Sequence, residues 1–139
     1  MTSKTRRGEK KLDHVAVAVK DMASTLRFYQ EVMGISPSHQ AVLPQQGVKV
    51  AFLPVGDSAI ELLEPTDPQG AVARFLERRG EGLHHICFQV ADIDAELRSL
   101  AQKGVELIDK EPRPGAEGRV GFLHPRNASG VLIELVQKD

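Results

Sequence analysis

The chain has 139 residues, enough for one compact domain or two small modules sharing a core, and an ordinary globular composition. A formal net charge of -1 gives no electrostatic ground for a nucleic acid or membrane partner, and no apolar run approaches membrane-spanning length. The single cysteine, Cys87, excludes an intrachain disulfide framework and suits a reducing cytoplasm.

The opening MTSKTRRGEKK is basic, contains Glu9 and lacks the apolar stretch of a secretory signal, so residues 1–10 read as a solvated, disordered tail. A strand is expected over Leu12–Val19, followed by a helix entered at Asp21, a good N-cap, with Met22, Leu26, Tyr29 and Met33 at helical spacing. Gly34 sits where that helix stops. Extended segments follow near Ile35–Leu43, Val48–Val55 and Ala59–Leu63. The stretch 65–82 reads as a linker holding one short helix, Ala71–Arg79. A second strand, Leu83–Val90, leads to a helix entered at Asp92 with Ile93, Leu97 and Leu100 on one stripe, ending at Gly104. Extended segments near Val105–Ile108, Val120–Leu123 and Val131–Val136 complete the chain.

The order repeats. DHVAVAVKDMASTLRFYQEVMGI (13–35) matches HHICFQVADIDAELRSLAQKGVEL (84–107), with His14 on His85, Asp21 on Asp92 and Leu26 on Leu97, a constant offset of 71. AIELLEP (59–65) matches LIELVQ (132–137), with Glu61 on Glu134 at an offset of 73, as one loop insertion would give. The expected fold class is therefore α+β, built from two tandem βαβββ modules: module 1 at about 11–64, the linker 65–82 and module 2 at about 83–139.

Strand alternation sorts the histidines. Val15, Val17 and Val19 share one face, and His14, Ala16 and Ala18 the other. In the second strand His84 shares the parity of Ile86, Phe88 and Val90, whereas His85 lies with Cys87 and Gln89. His14 and His85 are thus equivalent, and His84 is assigned a structural place. The small residues beside the equivalent histidines leave room for something else to bind. Glu61 lies between Ile60 and Leu62, and Glu134 between Ile133 and Leu135. A glutamate in an apolar strand is costly to bury unless paired or bound to a metal. A single such residue also fits a surface position on an edge strand. Two at equivalent positions, each following a repeated histidine, point toward a site. Modules that pair within one chain would gather His14, Glu61, His85 and Glu134 near a pseudo-two-fold axis, where two imidazoles and two carboxylates suit a divalent first-row ion. A buried structural role for each remains the alternative.

At these residues the chain resembles the vicinal oxygen chelate superfamily (glyoxalase/bleomycin resistance), and within it the methylmalonyl-CoA epimerase family. The likeness runs from about Lys11 to the end, through LDHVAVAV, QQGVKVAFLPVG, IELLEP, GLHHICFQV, FLHP and GVLIEL, in family order and spacing. It implies a glyoxalase-like fold, with the two modules pairing into an open, curved mixed sheet around a metal site. It also implies epimerisation of (2R)- and (2S)-methylmalonyl-CoA by proton transfer at C2 through a metal-stabilised enolate. The family's ligands fall on His14, His85 and Glu134; at the remaining position, where some relatives carry glutamine, this chain has Glu61. The implied ion is divalent, Co2+ foremost, with Zn2+, Mn2+ or Ni2+ compatible with the donor set. Glu61 and Glu134 are the candidate bases. Certain family members carry a glutamate where this chain has Val50, which cannot move a proton. The implied partner is an acyl-CoA thioester, in the cytoplasm, and a homodimer is compatible.

Two rivals share the fold. A glyoxalase I (lactoylglutathione lyase) uses the same pattern of histidines and glutamates, but its relatives usually end DPDGY.IEL where this chain has HPRNASGVLIEL (124–135). A metal-free small-molecule-binding protein of the same fold would not need four aligned ligand-type residues. Among other residues, Cys87 reads as a small buried hydrophobe and His39 as exposed. His124 fits either a substrate pocket or a strand end. Arg78, Arg79, Lys110, Arg113 and Arg119 either meet the phosphates of CoA or form a solvated basic surface. Residues 110–119, rich in Gly and Pro, suit a loop over the cleft.

Overall fold

The computed structural model describes residues 9–139. The expected disordered tail lies outside these apart from Glu9 and Lys10, and the Lys10 ammonium pairs with Glu96 at 2.7 Å. Contacts divide the chain into two compact units, one of His14–His84 and one formed by the chain up to Asp13 together with His85–Asp139.

The His14–His84 unit begins within strand β1 (Lys11–Ala18) and continues through α1 (Met22–Arg27), β2 (His39–Leu43), β3 (Val48–Val55), β4 (Ser58–Pro65) and α2 (Ala71–Arg79). Its strands lie in the order β2-β3-β4-β1, with β1 parallel to β4 and the other pairs antiparallel. Parallel pairing of first and last strands needs a crossover, which α1 provides. The Asp21 carboxylate accepts from the Ala23 N–H at 3.1 Å and starts that helix. Met22 and Leu26 then pack with Val19, Ala51, Leu53 and Leu62 on one face of the sheet. Each such side chain withdrawn from water stabilises the fold by roughly 1.5–3 kcal/mol.

The other unit contains β5 (Gly82–Gln89) from His85 onward, α3 (Ile93–Gln102), β6 (Arg113–Pro114), β7 (Gly118–Leu123) and β8 (Leu132–Lys138). The strand order β5-β8-β7-β6 repeats the first plan, again with first and last strands parallel. Asp92 caps α3 by accepting from the Ala95 N–H at 3.1 Å. Ile93 and Leu97 bury against Val90, Leu123 and Leu135. Gly34 and Gly104, at φ 70° and 83°, take the left-handed conformation that closes each helix.

The structure departs from the expected elements in three places. The first helix does not run to Met33 as a regular α-helix: residues Phe28–Val32 form a π-helical turn, closed by the Met33 N–H donating to the Phe28 carbonyl. The extra residue in that turn rotates later side chains off the apolar stripe, so Tyr29 still packs on the core while Met33 is 55% exposed. Only His39–Leu43 of the stretch beginning at Ile35 is a strand; Pro37 has no N–H to give a ladder. The segment Val105–Ile108 forms a single bridge, Leu107 to Leu123, and the edge strand is the two-residue β6. Here the Ile108 and Asp109 N–H groups both donate to the Phe122 carbonyl, which turns the chain away from a regular ladder.

An ionic tie closes β8. Lys138 pairs with the buried carboxylate of Asp13 and with Glu117 at 3.1 Å. Burial works to lower the Lys138 pKa, but its hydrogen bonds and ion pairs with Asp13 and Glu117 outweigh that and hold it above the ordinary lysine value. A raised value in the folded state means the contribution is complete below the ordinary lysine range and fades as pH rises through the raised one. Lys138→Met should therefore destabilise by about 1–3 kcal/mol at neutral pH, because Asp13 loses its cation. Denaturant unfolding should show the gap between variant and wild type persisting through neutral pH and narrowing as pH rises into strong alkali.

Candidate active site

Each unit presents one histidine and one glutamate in the same register. In the parallel pair β1–β4, Ala16 lies opposite Glu61, and His14 is two residues before Ala16 on the same face. In β5–β8, Cys87 lies opposite Glu134, and His85 is two residues before Cys87. The result is a direct contact in both. His14 Nδ1 stands 3.0 Å from Glu61 Oε2, with side chains 8% and 13% exposed. His85 Nε2 stands 3.0 Å from Glu134 Oε1, with side chains 9% and 11% exposed. Four ionisable groups are thereby drawn largely out of water, in apolar strands, each beside its chemical complement.

A carboxylate in such surroundings needs an N–H donor or a cation. Imidazole nitrogen and carboxylate oxygen are also the donors that divalent first-row ions accept, whereas Ca2+ and Mg2+ favour all-oxygen sets. The donor chemistry of both pairs fits such an ion. His84 packs edge-on against the ring of Phe75 in α2, centroids 4.8 Å apart. Cys87 is fully buried with Val120 and Val136.

The small-residue face is less open than expected in the His14–His84 unit. Ala16 and Ala18 are fully buried against Val48, Val50, Phe52, Leu63 and Val72, with Phe75 and Leu76 of α2 packed over them. The short linker helix covers that part of the sheet, leaving the His14–Glu61 end as its polar part. Val50 lies inside this cluster, so the position offers packing and no proton chemistry.

Two residues beside the site escaped the sequence reading. Phe52 lies opposite Glu61, and Phe122 lies opposite Glu134. Phe122 also meets the His85 ring edge-on, centroids 5.8 Å apart. The repeated VAFLP and VGFLHP segments carried that signal. His39, exposed as expected, stacks on Phe52 at 4.2 Å and shares a 2.9 Å hydrogen bond between its Nδ1 and the Ser38 hydroxyl. His124 ends β7 as a cap, its Nδ1 accepting from the Arg126 N–H at 3.0 Å. Asn127 completes that corner, its amide donating to the Glu106 and His124 carbonyls at 2.8 Å each.

Tandem βαβββ units with matched, buried His–Glu pairs define a class, and the sequence comparisons agree with it. The profile of the Glyoxalase/Bleomycin resistance protein/Dioxygenase superfamily matches residues 13–122. The chain is 39% identical over 129 residues to mitochondrial methylmalonyl-CoA epimerase of Homo sapiens, covering 91% of this chain and 73% of that protein. It is 38% identical to ethylmalonyl-CoA/methylmalonyl-CoA epimerase of Cereibacter sphaeroides, covering 91% and 97%. A variant of Streptomyces coelicolor methylmalonyl-CoA epimerase, solved in complex with 2-nitronate-propionyl-CoA, superposes with a TM-score of 0.84 at 40% identity, covering 98% and 96%. The chain belongs to the Glyoxalase/Bleomycin resistance protein/Dioxygenase superfamily, with its glyoxalase-like α+β fold, and within it to the methylmalonyl-CoA epimerase family. Among the described residues, no helix is long and apolar enough to cross a membrane.

Proposed function

We propose that this chain epimerises methylmalonyl-CoA, interconverting the (2R) and (2S) forms by moving a proton at C2. The observation that carries the reading is the matched His–Glu contact, at identical register, in both units. Support comes from relatives of that activity that match nearly the whole chain. His14, Glu61, His85 and Glu134 are proposed to hold one divalent ion per chain, with Co2+ the first candidate and Zn2+, Mn2+ or Ni2+ alternatives. Such an ion, when bound, supplies Lewis-acid stabilisation of the charge that develops on the thioester oxygen.

The chain's own residues supply the rest. C2 lies between a thioester and a carboxylate, so its proton is already acidified by the substrate. Removing it needs a carboxylate of suitable basicity at hand, and inverting the centre needs a second group to return a proton to the opposite face. Glu61 and Glu134, one from each unit, are proposed for these two tasks. His14 and His85 orient them through the 3.0 Å contacts. With a cation held at the site, a carboxylate that ligates it would be a poorer base than a free one. Burial of both pairs keeps bulk water from competing for the proton. A reducing cytoplasm suits both the lone thiol and the CoA substrate.

The metal-loaded protein should convert pure (2S)-methylmalonyl-CoA to an equal mixture of epimers and leave the glutathione hemithioacetal of methylglyoxal untouched. Turnover of the hemithioacetal alone would replace this reading with a glyoxalase.

A further inference from the structure

In the unit that holds His85 and Glu134 one feature of the same sheet face is unused: an arginine held in position near that pair with its terminal donors open. Arg113 stands on edge strand β6, and its guanidinium carbon lies 5.2 Å from the centroid of the Phe122 ring. Phe122 is the residue that faces Glu134 across β7–β8 and touches His85 edge-on. Arg113 is therefore one aromatic ring away from the His85–Glu134 pair. The Arg113 Nε pairs with Asp109 Oδ1 at 3.3 Å, while Asp109 Oδ2 accepts from the Phe122 N–H at 2.8 Å. Asp109 thus ties the arginine to the backbone of the ring it covers. Among the described residues, the two terminal nitrogens Nη1 and Nη2 have no protein partner. The Asp109 side chain is 17% exposed, so the tether is sheltered, whereas the Arg113 side chain is 56% exposed and reachable by a ligand.

A guanidinium fixed through Nε and stacked on a ring keeps its outer fork pointing one way. That fork matches a pair of anionic oxygens and loses little entropy on binding them. Among the described residues one other guanidinium lies over a ring, Arg79 at 5.8 Å from the Phe75 centroid, and Phe75 is not the ring opposite a glutamate. Arg119 donates to Asp94 and Gln137, and Arg126 to Glu106, so each already has a polar partner. In the other unit the ring opposite the glutamate, Phe52, is covered by His39 and not by an arginine. The duplicated plan has diverged at this position, with a permanent cation on one side only.

We propose that Arg113 binds an oxyanion of the thioester substrate, positioned by Asp109 and Phe122, and so contributes to substrate affinity. The inference rests on the proposed acyl-CoA activity. The bound oxygens belong either to a phosphate of the CoA moiety or to the acyl carboxylate, and both present the same bidentate chemistry.

Titration calorimetry on the full, metal-loaded chain separates the sources, with methylmalonyl-CoA and phosphate-free methylmalonyl-pantetheine as probes. Arg113→Met should weaken methylmalonyl-CoA binding by roughly tenfold or more, and Arg113→Lys by less, since a point charge remains without the fork. A loss seen with the CoA ester alone assigns the phosphate; an equal loss with the pantetheine ester assigns the carboxylate; either result supports the proposal. Thermal unfolding of both variants near the wild-type temperature certifies that the fold is intact, and the milder lysine variant keeps the comparison available. Wild-type affinity for both probes in Arg113→Met overturns the role of Arg113 alone. Absence of binding of any CoA ester to the wild-type chain overturns the acyl-CoA reading and this inference with it.

Discussion

Replacing His85 with alanine should abolish bound metal and lower epimerisation by roughly a thousandfold or more, a loss of several kcal/mol of charge stabilisation. His85 is buried, touches Glu134 at 3.0 Å and occupies the position that the repeat makes equivalent to His14. Its removal takes away one nitrogen donor and leaves the Glu134 carboxylate without its imidazole. The neighbouring change, His84→Ala, is the control. It removes an edge-on contact with Phe75 and should cost about 1–2 kcal/mol of stability while leaving metal content and turnover per folded molecule close to wild type. Elemental analysis of the two purified variants checks both expectations. Metal lost from His84→Ala and kept in His85→Ala would reverse the assignment.

The second large effect is expected at Glu61. Glu61→Gln preserves shape and offers an amide oxygen in place of the carboxylate, so metal should be retained. The variant cannot accept a proton, and epimerisation should fall by roughly 10^2–10^4, the usual worth of a positioned general base. The two half-reactions should separate. With Glu134 still competent, one epimer of the substrate should exchange its C2 proton with deuterated water, and the other should not. Val50 cannot replace the lost base, being an apolar side chain packed among Ala16, Val48, Phe52 and Val72. Near-normal epimerisation by Glu61→Gln would mean that a different group moves the proton.

The duplication made most of this architecture readable before any coordinates. A histidine on one strand means little alone, but His14 and His85 at a constant offset, each followed by a glutamate in an apolar strand, defined both pairs. Parallel register then converted the pattern into contact, because Ala16 opposite Glu61 and Cys87 opposite Glu134 set each histidine on the carboxylate's face. The caps at Asp21 and Asp92 were legible for a local reason: an acidic side chain satisfies nearby N–H groups wherever the helix later packs. What stayed hidden depends on tertiary contacts. The π-helical turn at Phe28–Val32 keeps an apolar composition while rotating Met33 outward, and periodicity does not register that shift. The burial of Ala16 and Ala18 depends on where α2 settles, and small residues suggest an open face until a helix covers it. Asp109 and Arg113 are four residues apart in an irregular stretch, so only the fold shows that one orients the other over Phe122.

Proton exchange at C2 tests the central claim most directly. Pure (2R)- and (2S)-methylmalonyl-CoA, incubated separately in deuterated water with the metal-loaded protein, should both gain deuterium at C2 and converge on the same epimer ratio. Chelation should stop the exchange, and restoring a divalent first-row ion should recover it. Substrate that binds yet keeps its C2 proton from both epimers, with the ion present, would contradict the account.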